Sequence, residues 1–176
     1  IQYTDIWAKD TYLQFMYERL LLLRELLAEN GSIVLHCDCT RVHFLRCIME
    51  EIFGTDSFFK NEIIWLYRRW PTTTPAFQAM HDNLLWFSKC NDNAHIFNKK
   101  YEKASERTLS DYGGKKLTTV QTDDGSFVKR ETEEESQGVA MRDVWEISRE
   151  HPRGHEHTDY PTQKPTELIE RIVTAL

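Results

Sequence analysis

Gly31-Ser-Ile-Val-Leu-His-Cys-Asp38, followed by Thr40 and a helical pattern that stops at Gly54, is the stretch whose reading decides the fold. Ser32 to Cys37 is a short apolar run with β-branched residues, the mark of a buried strand. Thr40 is placed to cap a helix whose apolar positions, Val42, Leu45, Met49, Ile52 and Phe53, share one face. Upstream, Tyr12, Phe15, Met16, Leu20, Leu23 and Leu27 recur at helical spacing. Asp10 is the expected cap of that helix, and Asn30-Gly31 its left-handed stop. A helix, a strand and a helix joined by tight connections form the grammar of a sheet covered by helices.

Downstream, Asn61 to Tyr67 and Asn83 to Ser88 predict two more strands. The loop between them carries Pro71, Pro75 and a threonine run, so it is expected to be exposed. From Tyr101 to Gly138 apolar content drops and charges cluster, which predicts an insertion without a core of its own. Within it, Leu117–Gln121 and Phe127–Arg130 flank a turn and predict a hairpin. Arg142 to Ile147 predicts another short strand. A final helix opens at Pro165, a residue suited to a first helical position. Its expected buried face is Leu168, Ile169, Ile172 and Val173, with a Glu167–Arg171 pair one turn apart. The fold class is therefore α/β: a mixed sheet of about three strands, flanked by helices and interrupted by an irregular insertion.

At 176 residues and 40% hydrophobic content the chain is large enough to bury a core. No run of 18 apolar residues occurs, so no membrane-spanning helix is expected. The four cysteines, Cys37, Cys39, Cys47 and Cys90, lack the spacing of a disulfide framework and read as reduced thiols of a cytoplasmic protein. Net charge is −6, yet residues 60–103 hold seven basic side chains against four acidic ones. Distribution matters more than the sum for a polyanionic partner. Arg68-Arg69 directly follows a strand pattern between Tyr67 and Trp70, and with Lys60 it is a candidate for neutralising phosphates. The chain begins at Ile1 and stops within a helical pattern at Leu176, so it reads as a piece of a longer protein.

Five blocks in order carry a family resemblance: Gly31 to Asp38, Ile52-Phe-Gly54, Asn61-Glu-Ile-Ile-Trp65, His81-Asp82 with a strand to Lys89, and Tyr160-Pro-Thr-Gln-Lys-Pro165. In this arrangement the chain resembles the β-group adenine-N6/cytosine-N4 DNA methyltransferases, which include the modification subunits of type III restriction systems. The resemblance covers roughly residues 1–103 and 142–176. It implies a partial Rossmann-like methyltransferase sheet, S-adenosylmethionine as cofactor and double-stranded DNA as partner, with a restriction subunit as a further one. It also implies three segments. Residues 1–103 would be the target-binding half of the sheet domain and 104–141 a variable, target-recognising insertion. Residues 142–176 would carry the Thr-Gln-Lys-Pro turn and a cofactor-side helix. The family's Asp-Pro-Pro-Tyr-type catalytic motif and its cofactor glycine loop occur nowhere in the sequence. The piece is therefore expected not to methylate alone, and its incomplete sheet to self-associate through an open edge.

The chemistry implied is demanding. An exocyclic amino group is a poor nucleophile, and the base must leave the duplex to meet the methyl donor. The family carries an aromatic on the flipped base just after Asn-Glu-Ile-Ile-Trp, which makes Trp65 or Tyr67 the candidate. Strand alternation puts both on one face, so both are core or both border the pocket. Asp38 stands where ligands bind in open α/β sheets, but it competes with Thr40 as a helix cap. The resemblance implies that Thr162, Gln163, Lys164 and Pro165 line the amino-acid end of the cofactor, near a helix N-terminus suited to an anion. Taken alone, that turn reads as a simple cap. His36-Cys37-Asp38-Cys39 alternates across a strand, and His151, His155 and His157 have no fixed ligand spacing, so no metal site is expected. Adenine is the preferred target over cytosine, on the overall look of the blocks.

Overall fold

β3 (His81–Ser88) is the strand around which the sheet is built, and it is the most buried: Asn83 to Ser88 are all buried. The computed structural model describes residues 9–91, 94–112, 114–123, 125–150, 154, 156–158, 160 and 162–176, excluding the side chains of 9, 10, 111, 112 and 133. Contacts divide the chain into one unit of residues 1–98 and 143–176 and a second of residues 99–142.

In the first unit, α1 (Lys9–Leu26) leads to β1 (Ser32–Asp38), α2 (Val42–Phe53), β2 (Phe59–Leu66) and then β3. After the second unit the chain returns as β8 (Val144–Glu146) and α4 (Thr166–Ala175). The sheet order is β1-β3-β2-β8. β3 runs antiparallel to both neighbours, and β8 pairs with β2 in parallel. Consequently β1, β2 and β8 all point the same way. The sheet is mixed, as expected, with four strands rather than about three.

Alternation sorts the two faces. On one, Cys37, Leu85 and Phe87 pack with Leu20 of α1 and with Leu45, Met49, Ile52 and Phe53 of α2. Each large side chain fully buried there stabilises the fold by roughly 1.5–3 kcal/mol. The other face carries Ile63, Trp65, Leu84, Trp86 and Trp145. Arg171 of α4 lies over the Trp145 ring at 5.2 Å, which places α4 on this side.

Several details depart from the sequence reading. α1 already includes Lys9, so Asp10 lies inside the helix and is not its cap. Leu23 is exposed, whereas Leu13, Met16, Tyr17 and Leu20 face the core. Four consecutive leucines at 20–23 allow more than one helical phase, and only packing selects one. Gly31 closes a turn by donating to the Ala28 carbonyl at 2.8 Å, and it is not among the positive-φ residues. Space is the reason for glycine here: a Cβ would stand 2.9 Å from the Ala28 oxygen. Gly54 does have positive φ, 109°, and ends α2 by donating to Glu50. Thr40 does not cap α2; it and the Arg41 amide both donate to Asp38, each at 3.0 Å from their backbone nitrogens. On α4 the buried side is Leu168 and Ala175 with half-buried Arg171 and Ile172, while Ile169 and Val173 are exposed. The Glu167–Arg171 pair is formed at 2.8 Å.

The second unit contains β4 (Tyr101–Glu102), α3 (Glu106–Tyr112), β5 (Lys115–Gln121), β6 (Phe127–Glu135) and β7 (Val139–Ala140). β5 and β6 form an antiparallel hairpin, whose turn is closed by Thr122 donating to the Ser126 carbonyl and by Gly125 at φ 82°. None of its described residues is among the buried core.

Candidate functional site

The carboxyl ends of β1, β2 and β8 meet the first residues of β3, and there one sheet face turns polar. The register sets Asp82 opposite both Asp38 of β1 and Trp65 of β2. Asp82 Oδ1 accepts the Tyr67 hydroxyl at 2.8 Å, and Oδ2 meets His36 Nε2 at 3.0 Å. Arg69 in turn donates to the Tyr67 oxygen at 2.6 Å. Burial works against ionisation of Asp82, but the hydrogen bonds from His36 and Tyr67 outweigh it and hold the carboxyl below its ordinary range. Tyr67 shifts the opposite way, raised first by burial and then by the Asp82 bond.

Two guanidiniums lie over the Tyr67 ring, Arg69 at 5.0 Å and Arg149 at 5.3 Å from its centroid. Lys164 approaches the same group: burial lowers its pKa, with Asp82 opposing and Arg149 adding to the shift. Arg69 and Arg149 thus share the Tyr67 ring, and Lys164 feels both Asp82 and Arg149, so cationic groups gather at this edge of the sheet. The loop leaving Arg69 presents Trp70 at 90% and Phe77 at 105% exposure. Gln78 holds it closed, donating to the Trp70 carbonyl at 2.8 Å.

The residues singled out in the sequence are distributed unevenly. Trp65 and Tyr67 share a face and both are 2% exposed. The Trp65 indole donates to the Ile147 carbonyl at 2.8 Å and its ring meets Tyr67 edge-on at 5.1 Å, so it ties β2 to the chain beyond β8. Arg68 diverges from Arg69: it is 90% exposed, with Glu146 at 3.9 Å. Lys60 is at the far end of β2 and donates to the Ser57 carbonyl. Asp38 organises the start of α2, its Oδ1 accepting from both Thr40 and Arg41.

In the Thr-Gln-Lys-Pro turn, Gln163 is committed to its own loop. Its amide accepts from the Thr158 backbone and hydroxyl, each at 2.8 Å, and donates to the Glu156 carbonyl at 2.5 Å. Glu156 also occupies the first amide of α4, accepting from Thr166 at 3.1 Å. Pro165 is buried at the cap position. Lys164, which donates to the Thr162 carbonyl at 2.8 Å, and the exposed Thr162 are what the turn offers to a ligand. His151, His155, Asp159 and Pro161 lie outside the described residues. Cys37 is buried, and its thiol is pushed up to about 12 by burial and by Asp38, Glu62 and Asp82, which makes it unreactive.

Three contributors were missed in the sequence. Asp82 was visible as part of a block, but its role needs the strand register. His36 was weighed only as a metal ligand. Arg149 has no local signal at all, since only folding brings it over Tyr67.

A family model described as DNA methylase, for the N6 and N4 amino-methyltransferases, matches residues 1–176. The chain belongs to this family. Among curated members, it is 30% identical over 108 residues to the type II methyltransferase M.EcaI of Enterobacter cloacae, covering 61% of this chain and 24% of that one. It is 23% identical over 164 residues to M.HpaI of Haemophilus parainfluenzae, covering 93% and 45%. A 64-residue stretch is 41% identical to the StyLTI type III Mod subunit of Salmonella typhimurium, 35% of this chain and 10% of that subunit. The chain thus spans less than half the length of these DNA methylases. The crystal structure of an M1.HpyAVI–SAM complex superposes with a TM-score of 0.53 at 18% identity, covering 96% of this chain and 62% of that one. At that identity the likeness concerns fold, and it agrees with a Rossmann-like methyltransferase sheet.

Proposed function

We propose that this chain is the target-base side of an S-adenosylmethionine-dependent enzyme that methylates the exocyclic amino group of adenine in double-stranded DNA. The observation that carries the reading is the convergence of Arg69, Arg149 and Lys164 on the Tyr67–Asp82–His36 array, next to an exposed Trp70. Ligands of open α/β sheets bind beyond the carboxyl ends of the strands, where these groups stand.

Each part has a role in that reading. Arg69 and Arg149 neutralise phosphates beside the target nucleotide, and Tyr67, locked by Asp82, holds both guanidiniums in place. The base swings out of the duplex onto an aromatic face. Trp65 and Tyr67 are too enclosed for this, so the stacking role passes to Trp70, five residues after Trp65. Stacking is worth roughly 1–3 kcal/mol per base, enough to offset the few kcal/mol of flipping. Arg68 adds a more distant phosphate contact, and Asp38 shapes the edge by fixing the start of α2. When bound, the cofactor supplies an electrophilic methyl group. Lys164 and Thr162 fit its carboxylate, Gln163 acts by fixing their loop, and Pro165 starts the helix beneath them.

A second reading, a DNA-binding or assembly module without chemistry of its own, is favoured by one observation. The 176 residues contain neither an Asp-Pro-Pro-Tyr-type motif nor a cofactor glycine loop. This chain alone is accordingly expected to transfer no methyl group. Similarity to type III Mod subunits supports a restriction subunit as a further partner in either reading. Nucleoside mass spectrometry of DNA from cells expressing the full-length protein tests the choice. N6-methyladenine is expected. N4-methylcytosine would overturn the choice of adenine, and no methylated base would leave only the second reading.

A further inference from the structure

His36 brings to the polar edge the side-chain type that changes charge near neutral pH. Its side chain is 33% exposed, so solvent protons reach it, while its partner Asp82 is 17% exposed. Nε2 lies 3.0 Å from Asp82 Oδ2, and the imidazole sits 5.8 Å from the Trp65 ring. Charged and titratable groups reach this pair from each neighbouring element. The chain just past β2 supplies Tyr67, bonded to Asp82, and Arg69, bonded to Tyr67. β1 itself adds Asp38, whose Oδ1 already accepts from Thr40 and Arg41. Arg149 lies over the Tyr67 ring, and Lys164 feels the charge of Asp82. Asp82 is therefore the anion that Arg69 faces before any ligand arrives.

We propose that His36 is a proton-linked positioning residue, whose protonation compensates Asp82 and leaves Arg69 free to grip a backbone phosphate. Neutral or protonated, the imidazole can donate from Nε2 to Asp82, so the proton changes charge and keeps the geometry of the array. With His36 neutral, Asp82 competes with the phosphate for Arg69. With His36 protonated, the carboxylate is paired on its other oxygen and the field at the edge becomes more positive. Asp82 stays ionised through the histidine range, because its carboxyl is held below the ordinary value. The sign follows from linkage: the phosphate-bound state holds the extra proton, so affinity rises as pH falls through that range. Reciprocally, bound DNA raises the proton affinity of His36. The inference rests on the proposed reading of this edge as the DNA-facing side, and it adds the residue whose charge sets the strength of the grip.

The test is anisotropy titration of a labelled duplex with the 176-residue chain at about pH 8 and about pH 5.5, at one ionic strength, with circular dichroism to verify folding. Affinity should rise roughly fivefold at the lower pH, the low end of couplings between sites. His36→Gln keeps an amide donor for Asp82 but carries no charge, so it should lose most of that rise. Asp82→Asn removes the competing carboxylate and should bind tightly at both pH values. In proton NMR, the imidazole signal that His36→Gln lacks should titrate at higher pH when the duplex is bound. A folded His36→Gln or Asp82→Asn variant with the full rise overturns the proposal, as does an imidazole titration that the duplex does not move. Arg69→Ala/Arg149→Ala separates the two readings. Weakened binding at the higher pH keeps the DNA-facing edge whatever His36 does, and unchanged binding overturns that edge and this inference together. A chain that binds no duplex also overturns both.

Discussion

Asp82 receives hydrogen bonds from two strands at once, His36 on β1 and Tyr67 just past β2, and this makes it the fixed point of the polar edge. Its lowered folded-state pKa has a definite consequence for stability. The unfolded carboxyl titrates near 3.9, and the folded one below that. Between those values the unfolded chain binds the extra proton, so stability is present above about pH 3.9 and is lost as pH falls through the folded value. The Asp82→Asn variant should show a shallower loss of urea midpoint below about pH 4 than the unaltered chain. Parallel acid limbs would remove the array from the account. Tyr67 has the opposite sign: its contribution is present below the ordinary phenol value of about 10 and is lost as pH rises through the raised folded value. Among the residues chosen from the sequence, alternation alone placed Trp65 and Tyr67 on one face. Whether that face was open depended on residues far along the chain, Ile147 and Arg149, which no local pattern brings near.

At the level of elements, the periodic signals of β1, α2, β2, β3 and the β5–β6 hairpin were legible because each buries one face or returns through a turn. Helix phase was harder. α1 leaves Leu21, Leu22, Leu23 and Leu26 exposed, the last at 82%, because its leucines outnumber the positions that face α2 and the sheet. Phase on α4 was displaced for a related reason: Arg171 sets its guanidinium over the Trp145 ring, and the buried stripe runs through Leu168, Ile172 and Ala175. Among the described strands β1 pairs only with β3 and so forms one edge of the sheet. An unpaired edge together with exposed leucines on α1 favours association. Sedimentation velocity of this chain should show a weight-average mass that rises with concentration. A clean monomer at high concentration would contradict the expectation.

For the molecule as a whole, family membership and mixed-sheet architecture follow from matches and topology that span the chain, while the assignment of a target-base edge rests on a few side chains in the first unit. Net charge of −6 coexists with a local gathering of cationic side chains around Tyr67. That separation is how an acidic chain can meet a polyanion. It also explains why composition alone did not decide the matter. The most direct measurement is the fluorescence of a duplex carrying 2-aminopurine at a mismatched adenine position, saturated with the chain or with its Trp70→Ala variant. Saturation with the unaltered chain should move emission away from the free-duplex value, and the Trp70→Ala variant, which lacks the stacking that offsets flipping, should bring it back toward that value. Emission that stays at the free-duplex level in both saturated complexes would contradict it.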